Sequence, residues 1–295
     1  MPLVRLKPTD NGKQWGDIAE PSYVLWKASA HTELNALTEE LKAYFNDSKV
    51  EIMGLVTVLK RDHHAVIVQK GCDIIIAFLE NGEAEWNRNG WYLGKSAPYK
   101  RKVDGDLVHS YYLAVWEGMR EHARADLTHA IGKILQEGKA VRKILVCGHS
   151  LVGGVSSLAF TDILYFIRND FGSKSGTWGN GDSLNDENLP SVLQHFTFAG
   201  FAAADIGYHT KLNNTCEKYQ IQAWDFVHHK DQTNQAHIPW FNTWRGHCYE
   251  LPAEIVDHFA SEFGPQCHGI EGYAQVAEWM YRCGGGDMVR SKYSY

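Results

Sequence analysis

The chain predicts a mostly parallel α/β sheet flanked by helices, and three observations carry that expectation. Strand-like apolar runs alternate with segments of helical periodicity over most of the sequence. The run Ile74-Ile75-Ile76-Ala77-Phe78 is apolar at every position, as a strand buried on both faces requires. The stretch Lys143 to Gly154 reads K-I-L-V-C-G-H-S-L-V-G-G. There an apolar run ends in small residues around Ser150 and leads into a patterned segment, Val155 to Phe166. Strand, tight turn and helix form the context in which a G-x-S-x-G-like match becomes a nucleophile elbow.

The 295 residues allow one large domain, and we expect a single domain over 1–295. Apolar residues make up 44% and charged residues 22%, in the range of a soluble globular protein. The 10 Trp, 14 Tyr and 12 Phe are enough to line an apolar pocket. A net charge of -6 argues against a nucleic-acid partner and against electrostatic docking on anionic membranes. The first ten residues are polar, with Arg5 and Lys7 and no apolar signal region behind them. No run of ~18 apolar residues is present, so no transmembrane segment is expected. Cys72, Cys147, Cys216, Cys248, Cys267 and Cys283 are scattered without C-x-x-C pairs. They read as reduced thiols of a cytoplasmic protein, with one disulfide among the last four left open.

In chain order, residues 1–22 read as an extended arm. Leu34, Leu37, Leu41 and Tyr44 or Phe45 recur at helical spacing, so 32–46 is expected to be helical and 1–50 to comprise arm and helix. Three β-like runs follow, Glu51 to Leu59, His64 to Gln69 and Asp73 to Leu79, the first two as a hairpin. Residues 82–105 are a long polar loop with exposed-looking aromatics. His109 to about Glu137 is helical, with Val115, Met119, Ile131, Ile134 and Leu135 inward. After the elbow and its helix, 171–190 is a Gly-, Ser-, Asn- and Asp-rich surface loop. Further strands are expected at His195 to Gly200, Tyr219 to His229 and Trp244 to Leu251. A last helix starts at Cys267 and stops at Gly284-Gly285-Gly286.

A serine hydroxyl needs a base to take its proton, a third group to orient that base, and donors for the oxyanion formed on attack. In this topology the acid and the histidine follow the serine in sequence. Asp231 ends the run Phe226-Val227-His228-His229-Lys230, Asp225 ends a shorter run, and Asp205 follows His195 to Gly200. Among the 15 histidines, His268 stands at the start of the last helix, His258 lies ten residues earlier, and His247 is mid-strand. The N–H of Leu151 comes with the elbow as one oxyanion donor. Asn81, just past the Ile74 to Leu79 strand, is a candidate for the second. The adjacent pairs His63-His64 and His228-His229 point to opposite strand faces and make no joint metal site.

These motifs resemble the fungal-type, or class 3, lipase family of α/β hydrolases over about residues 70–283. The family elbow G-H-S-L-G-G-A is similar to Gly148-His149-Ser150-Leu151-Val152-Gly153-Gly154, and F-R-G-T is similar in place to Phe78-Leu79-Glu80-Asn81. V-H-x-G-F resembles Val108-His109-Ser110-Tyr111-Tyr112, and T-F-G-x-P-R resembles Thr197-Phe198-Ala199-Gly200-Phe201-Ala202. The strand ending in Asp with a later proline resembles Phe226 to Asp231 with Pro239, and H-x-[IL]-x-x-Y resembles His268 to Tyr273. The chain departs from the family at Val152, at Leu79-Glu80-Asn81 and at Phe201-Ala202. The resemblance implies an α/β-hydrolase fold with Ser150 as nucleophile, Asp231 as acid and His268 as base. It also implies an oxyanion hole from Leu151 and Asn81, and a lid near 82–105.

The activity so implied is carboxylic-ester hydrolysis of acyl lipids or hydrophobic esters through an acyl-serine, with Trp86, Trp91, Tyr92 and Tyr99 of the lid meeting acyl chains or a lipid surface. No metal or other cofactor is needed. The expected partners are a small-molecule or lipid ester and a transient lipid-surface contact, without nucleic acid. A relative that keeps the pocket but not the chemistry, binding lipid or a partner, is the alternative, as is acyl transfer to an alcohol.

Overall fold

The computed structural model describes residues 12–31, 33–58, 63–80, 100–103, 106–171, 192–219, 221–231 and 248–282. Helices α1 (Gly12–Ala30) and α2 (Leu34–Phe45) precede strands β1 (Glu51–Val58), β2 (His63–Lys70) and β3 (Asp73–Glu80). A small hairpin, β4 (Lys100–Val103) and β5 (Asp106–His109), leads into α3 (Ser110–Gln136). Strand β6 (Lys143–His149) runs into α4 (Ser150–Asp170), followed by β7 (Leu193–Phe198) and α5 (Ile206–Lys218). Then come β8 (Ala223–Val227), β9 (Cys248–Glu250), the short helices α6 (Ala253–His258) and α7 (Ala260–Phe263), and α8 (Ile270–Arg282).

The main sheet has seven strands in the order β1-β2-β3-β6-β7-β8-β9. The first three form an antiparallel meander, and β3 onward pair in parallel. Period-two alternation divides its side chains between two helical layers. Ile74, Ile76, Phe78, Ile144 and Val146 face the layer of α3 and α4. Ile75, Ala77, Leu145, Cys147, Phe196 and Phe198 face the layer of α1 and α8. This two-sided burial explains the unbroken apolar run at β3. Helix α4 is apolar and long enough to cross a membrane, but 83% of its most apolar window is buried inside the protein.

Several expected elements differ in the structure. The arm over 1–22 is, from Gly12 on, the first part of α1. Pro21 and the polar surroundings hide a helical stripe of Trp15, Ile18, Ser22 and Leu25, all buried. Salt links from Lys143 to Asp17 and from Lys70 to Glu20 tie that helix to the strands beneath it. The loop assigned to 82–105 contains strand β4 at its end, and 82–99 lie outside the described residues. The strand expected from Tyr219 begins at Ala223, because Tyr219 caps α5, a helix the sequence reading leaves unassigned. Asp205 is the N-cap of that helix: its carboxylate accepts the N–H of Tyr208 at 3.0 Å and of Leu107 at 3.0 Å. The last strand is only Cys248–Glu250, and His247 lies outside the described residues, as do 172–190 of the surface loop. Cys72, Cys147, Cys216 and Cys267 carry no disulfide.

Two histidines away from the elbow serine, His209 and His109, are held neutral by burial. His209 on α5 has no hydrogen-bond partner on either ring nitrogen among the described residues, and burial lowers it to about 4. His109, stacked on Tyr112 at 4.4 Å, is likewise lowered to about 4 by burial. An unfolded histidine takes its proton near pH 6.5, so between there and about pH 4 the unfolded chain binds more protons. Their contribution is therefore complete above pH 6.5 and is lost as pH falls, at up to about 1.4 kcal/mol per pH unit for each. Denaturant unfolding of His209→Gln at pH 8 and pH 5 should show a smaller pH-dependent loss than wild type. An unchanged loss would exclude His209 as a source.

Candidate active site

Ser150 begins α4 directly after the last residue of β6, with no intervening loop. Its φ of 55° lies in the left-handed region, which a non-glycine residue occupies at a cost of about 1–2 kcal/mol. That conformation is what reverses the chain between strand and helix. The reversal needs backbones in contact, and glycines permit it. A Cβ on Gly148 would lie 2.7 Å from the carbonyl oxygen of Val152, and one on Gly153 would lie 2.8 Å from Cα of Gly200. One on Gly154 would lie 2.7 Å from the Tyr112 ring. Val152 itself is buried in the core between the sheet and α3, so the departure from glycine there removes no space the turn uses.

The hydroxyl of Ser150 is 2.7 Å from Nε2 of His268, and Nδ1 of that ring is 2.9 Å from Oδ2 of Asp231. With Asp231 ionised, Nδ1 donates to the carboxylate and Nε2 is left to accept the serine proton. The Oδ2 atom also accepts the hydroxyl of Tyr273 at 3.0 Å, and Tyr273 in turn accepts the N–H of His228 at 3.0 Å. Tyr273 is buried, and its phenol is pushed well above the ordinary range chiefly by that burial, then by the charge of Asp231. Asp231 lies past the end of β8, after a turn closed by its N–H to the carbonyl of His228 at 2.9 Å.

His268 does not open α8 as expected but stands two residues before it, after Cys267 in a left-handed conformation of φ 55°. Its N–H and that of Gly269 both donate to the carbonyl of Phe263, at 3.1 and 2.8 Å. His149 meets it from the other side, with Nε2 at 2.7 Å from the carbonyl oxygen of His268 and the two rings 4.6 Å apart. A carbonyl only accepts, so His149 carries its proton on Nε2. Burial, then the nearby His268, lowers His149 to about 3 and keeps it neutral.

The structure thus brings together Ser150, Asp231 and His268, with Leu151 in the first turn of α4, where amide N–H groups lack intrahelical acceptors. Phe78 is level with Gly148 across the parallel pair, which puts the end of β3 beside the elbow. Asn81, Trp86, Trp91, Tyr92 and Tyr99 lie outside the described residues. The other candidates fall elsewhere. His258 is exposed at the end of α6, and Asp225 bonds to β7 and the turn after it. The sequence reading gives no role to Tyr273 or His149, although both stand inside motifs it quotes. Among the described residues no group of three His, Cys, Asp or Glu could hold a metal ion.

An α/β sheet with a serine at a strand-to-helix elbow, joined to a histidine and an acid, defines the α/β-hydrolase class. A family model, lipase (class 3), matches residues 81–237, and the chain belongs to that family. Solved structures agree in fold. The chain matches a lipase of Rhizopus microsporus var. chinensis with a TM-score of 0.51 at 18% identity, covering 77% of this chain and 69% of that one. For the Rhizomucor miehei lipase in its propeptide complex the values are 0.54, 16%, 78% and 66%. For lipase II of Rhizopus niveus they are 0.52, 17%, 78% and 77%. A search of curated protein sequences returned no match.

The elbow makes a stability prediction. Gly148→Ala should lower the thermal midpoint by several degrees, because its methyl meets backbone that cannot yield without cost. Val152→Gly, which restores the family residue, should also destabilise, by about 2–4 kcal/mol, through a lost core side chain and a helix glycine. Thermal and denaturant unfolding check both; a stabilising Val152→Gly would refute this account of the turn.

Proposed function

We propose that the chain is a serine carboxylic-ester hydrolase acting on acyl lipids or other hydrophobic esters. The single observation that carries this reading is the unbroken path from Ser150 Oγ through His268 to Asp231, at 2.7 and 2.9 Å. Along it, His268 takes the serine proton as Oγ attacks the ester carbonyl. Buried Asp231 stabilises the imidazolium so formed and fixes the ring's tautomer. The N–H of Leu151 donates to the oxyanion, and Asn81 is proposed as the second donor. His268 returns the proton to the departing alcohol, leaving acyl-Ser150, and then activates the water that releases the acid. Trp86, Trp91 and Tyr92 are proposed to meet the acyl chain from a lid.

One feature of the sequence favours a second reading. Glu80 precedes Asn81, and a negative charge near the oxyanion would oppose its formation. On that reading the chain binds lipid or a partner without turnover. Labelling of Ser150 by an activated phosphonate separates the two, since an intact fold that takes no label excludes the hydrolase. Transfer to an alcohol in place of water is distinguished by product analysis with added alcohol.

Ser150→Ala and His268→Ala should abolish turnover of p-nitrophenyl esters across a panel of chain lengths, with the Ser150→Ala midpoint close to wild type. Asp231→Asn should cost about 10³–10⁴-fold in kcat. His258→Ala should retain wild-type turnover. Activity surviving in Ser150→Ala would remove the serine from its role.

A further inference from the structure

Asp225 is the second buried carboxylate beside the site, and its partners belong to the other side of the elbow. Oδ1 accepts the hydroxyl of Thr197, level with it on β7, at 2.7 Å and the N–H of Gly200 at 3.0 Å. Between these two donors the chain leaves β7 through Ala199, a non-glycine residue at φ 49° whose N–H bonds to the carbonyl of Phe226 at 2.8 Å. The next residue after Gly200 reaches the elbow: the N–H of Phe201 donates to the carbonyl oxygen of Ser150 at 3.1 Å. Gly200 also packs directly on Gly153 of α4.

We infer that Asp225 is a positioning residue for Ser150, its carboxyl oxygen holding the turn 199–201, which in turn holds the carbonyl of the serine. The geometry stands by itself; its consequence for the reaction rests on the proposed role of Ser150 as nucleophile. Ser150 sits in a left-handed conformation, and such conformations persist only where surrounding contacts over-determine them. Phe201 supplies one such contact from outside the helix. Asp225 supplies the acceptor for the N–H of half-buried Gly200 in that turn. Burial raises the Asp225 carboxyl to about 7, against the hydrogen bonds from Thr197 and Gly200, with Asp231 adding to the rise. Both donors, a hydroxyl and a backbone amide, are neutral, so the clamp needs an oxygen acceptor and not a charge. This separates Asp225 from Asp231, whose charge the reaction uses.

The test compares Asp225→Asn, which keeps a carbonyl oxygen for both donors, with Asp225→Ala, which does not. Two measurements are made: hydrogen exchange of the Gly200 and Phe201 amides, and the rate at which a fluorophosphonate labels Ser150. In the Ala variant both amides should exchange about tenfold faster and labelling should slow about tenfold, the effect of one lost hydrogen bond. In the Asn variant both should return to within about threefold of wild type. Wild-type exchange at Phe201 in the Ala variant overturns the inference, and so does an Asn variant as perturbed as the Ala one. Should Asp225→Ala fail to fold, loss of Phe201 protection in Asp225→Asn overturns it alone. A wild-type protein that takes no label overturns the role of Ser150, while the exchange data still decide the clamp.

Discussion

Backbone contact at the elbow is the constraint on which the rest of the site depends. Strand β6 and helix α4 meet without a loop, so the chain must reverse within Ser150 itself. That is possible only where nothing stands between the strand's end, the helix's first turn and the segment leaving β7. Gly148, Gly153 and Gly200 meet that condition, each with backbone or a short side chain at van der Waals range. Everything chemical follows from the reversal. It turns the serine hydroxyl toward His268 and leaves the amide groups of the first turn of α4 without internal acceptors.

His268 is held just as tightly, though by different means. Two amides of the segment His268-Gly269 bond to one carbonyl of Phe263, and His149 bonds to the carbonyl of His268. His149, the residue before Ser150, therefore touches the backbone of His268. The distance from serine to histidine is fixed from both ends by groups that belong to neighbouring residues. Tyr273, one turn into α8, does the same for Asp231 by donating to it while accepting from His228. Ser150, His268 and Asp231 come from three separate segments of the chain, yet each is bonded to the element that carries another.

What the sequence made legible follows from physics that is local. Strands β2, β3 and β6 show as near-continuous apolar runs because they are buried on both faces, and α3 and the helix after the elbow show in their apolar pattern. The order serine, acid, histidine was readable because strand ends are marked by a change to polar residues, as at Asp231. Helix α1 was hidden, since Pro21 and a polar start argue locally for extended chain while the pull of the core on Trp15, Ile18 and Leu25 is tertiary. Helix α5 was hidden because its buried face, His209, Leu212 and Cys216, is short and half polar. Its one strong signal is the Asp205 cap, which reads equally well as a strand-end acid.

The same ambiguity divides Asp225 from Asp231. Both follow apolar residues near the end of one strand, and the sequence pattern favours Asp231 only through the polar residues that begin there. The geometry ranks them, through the direction of the sheet. Asp225 is inside β8, level with Thr197, so its carboxyl is confined to donors from β7 and the turn beyond. Asp231 is four residues past the strand, where a turn through His228 lifts it to the height of His268. An acid within the sheet can brace the backbone beside Ser150, whereas one beyond its edge can meet His268. The carboxylate that holds Gly200 and the one that meets His268 are thus separated by six residues of strand and turn.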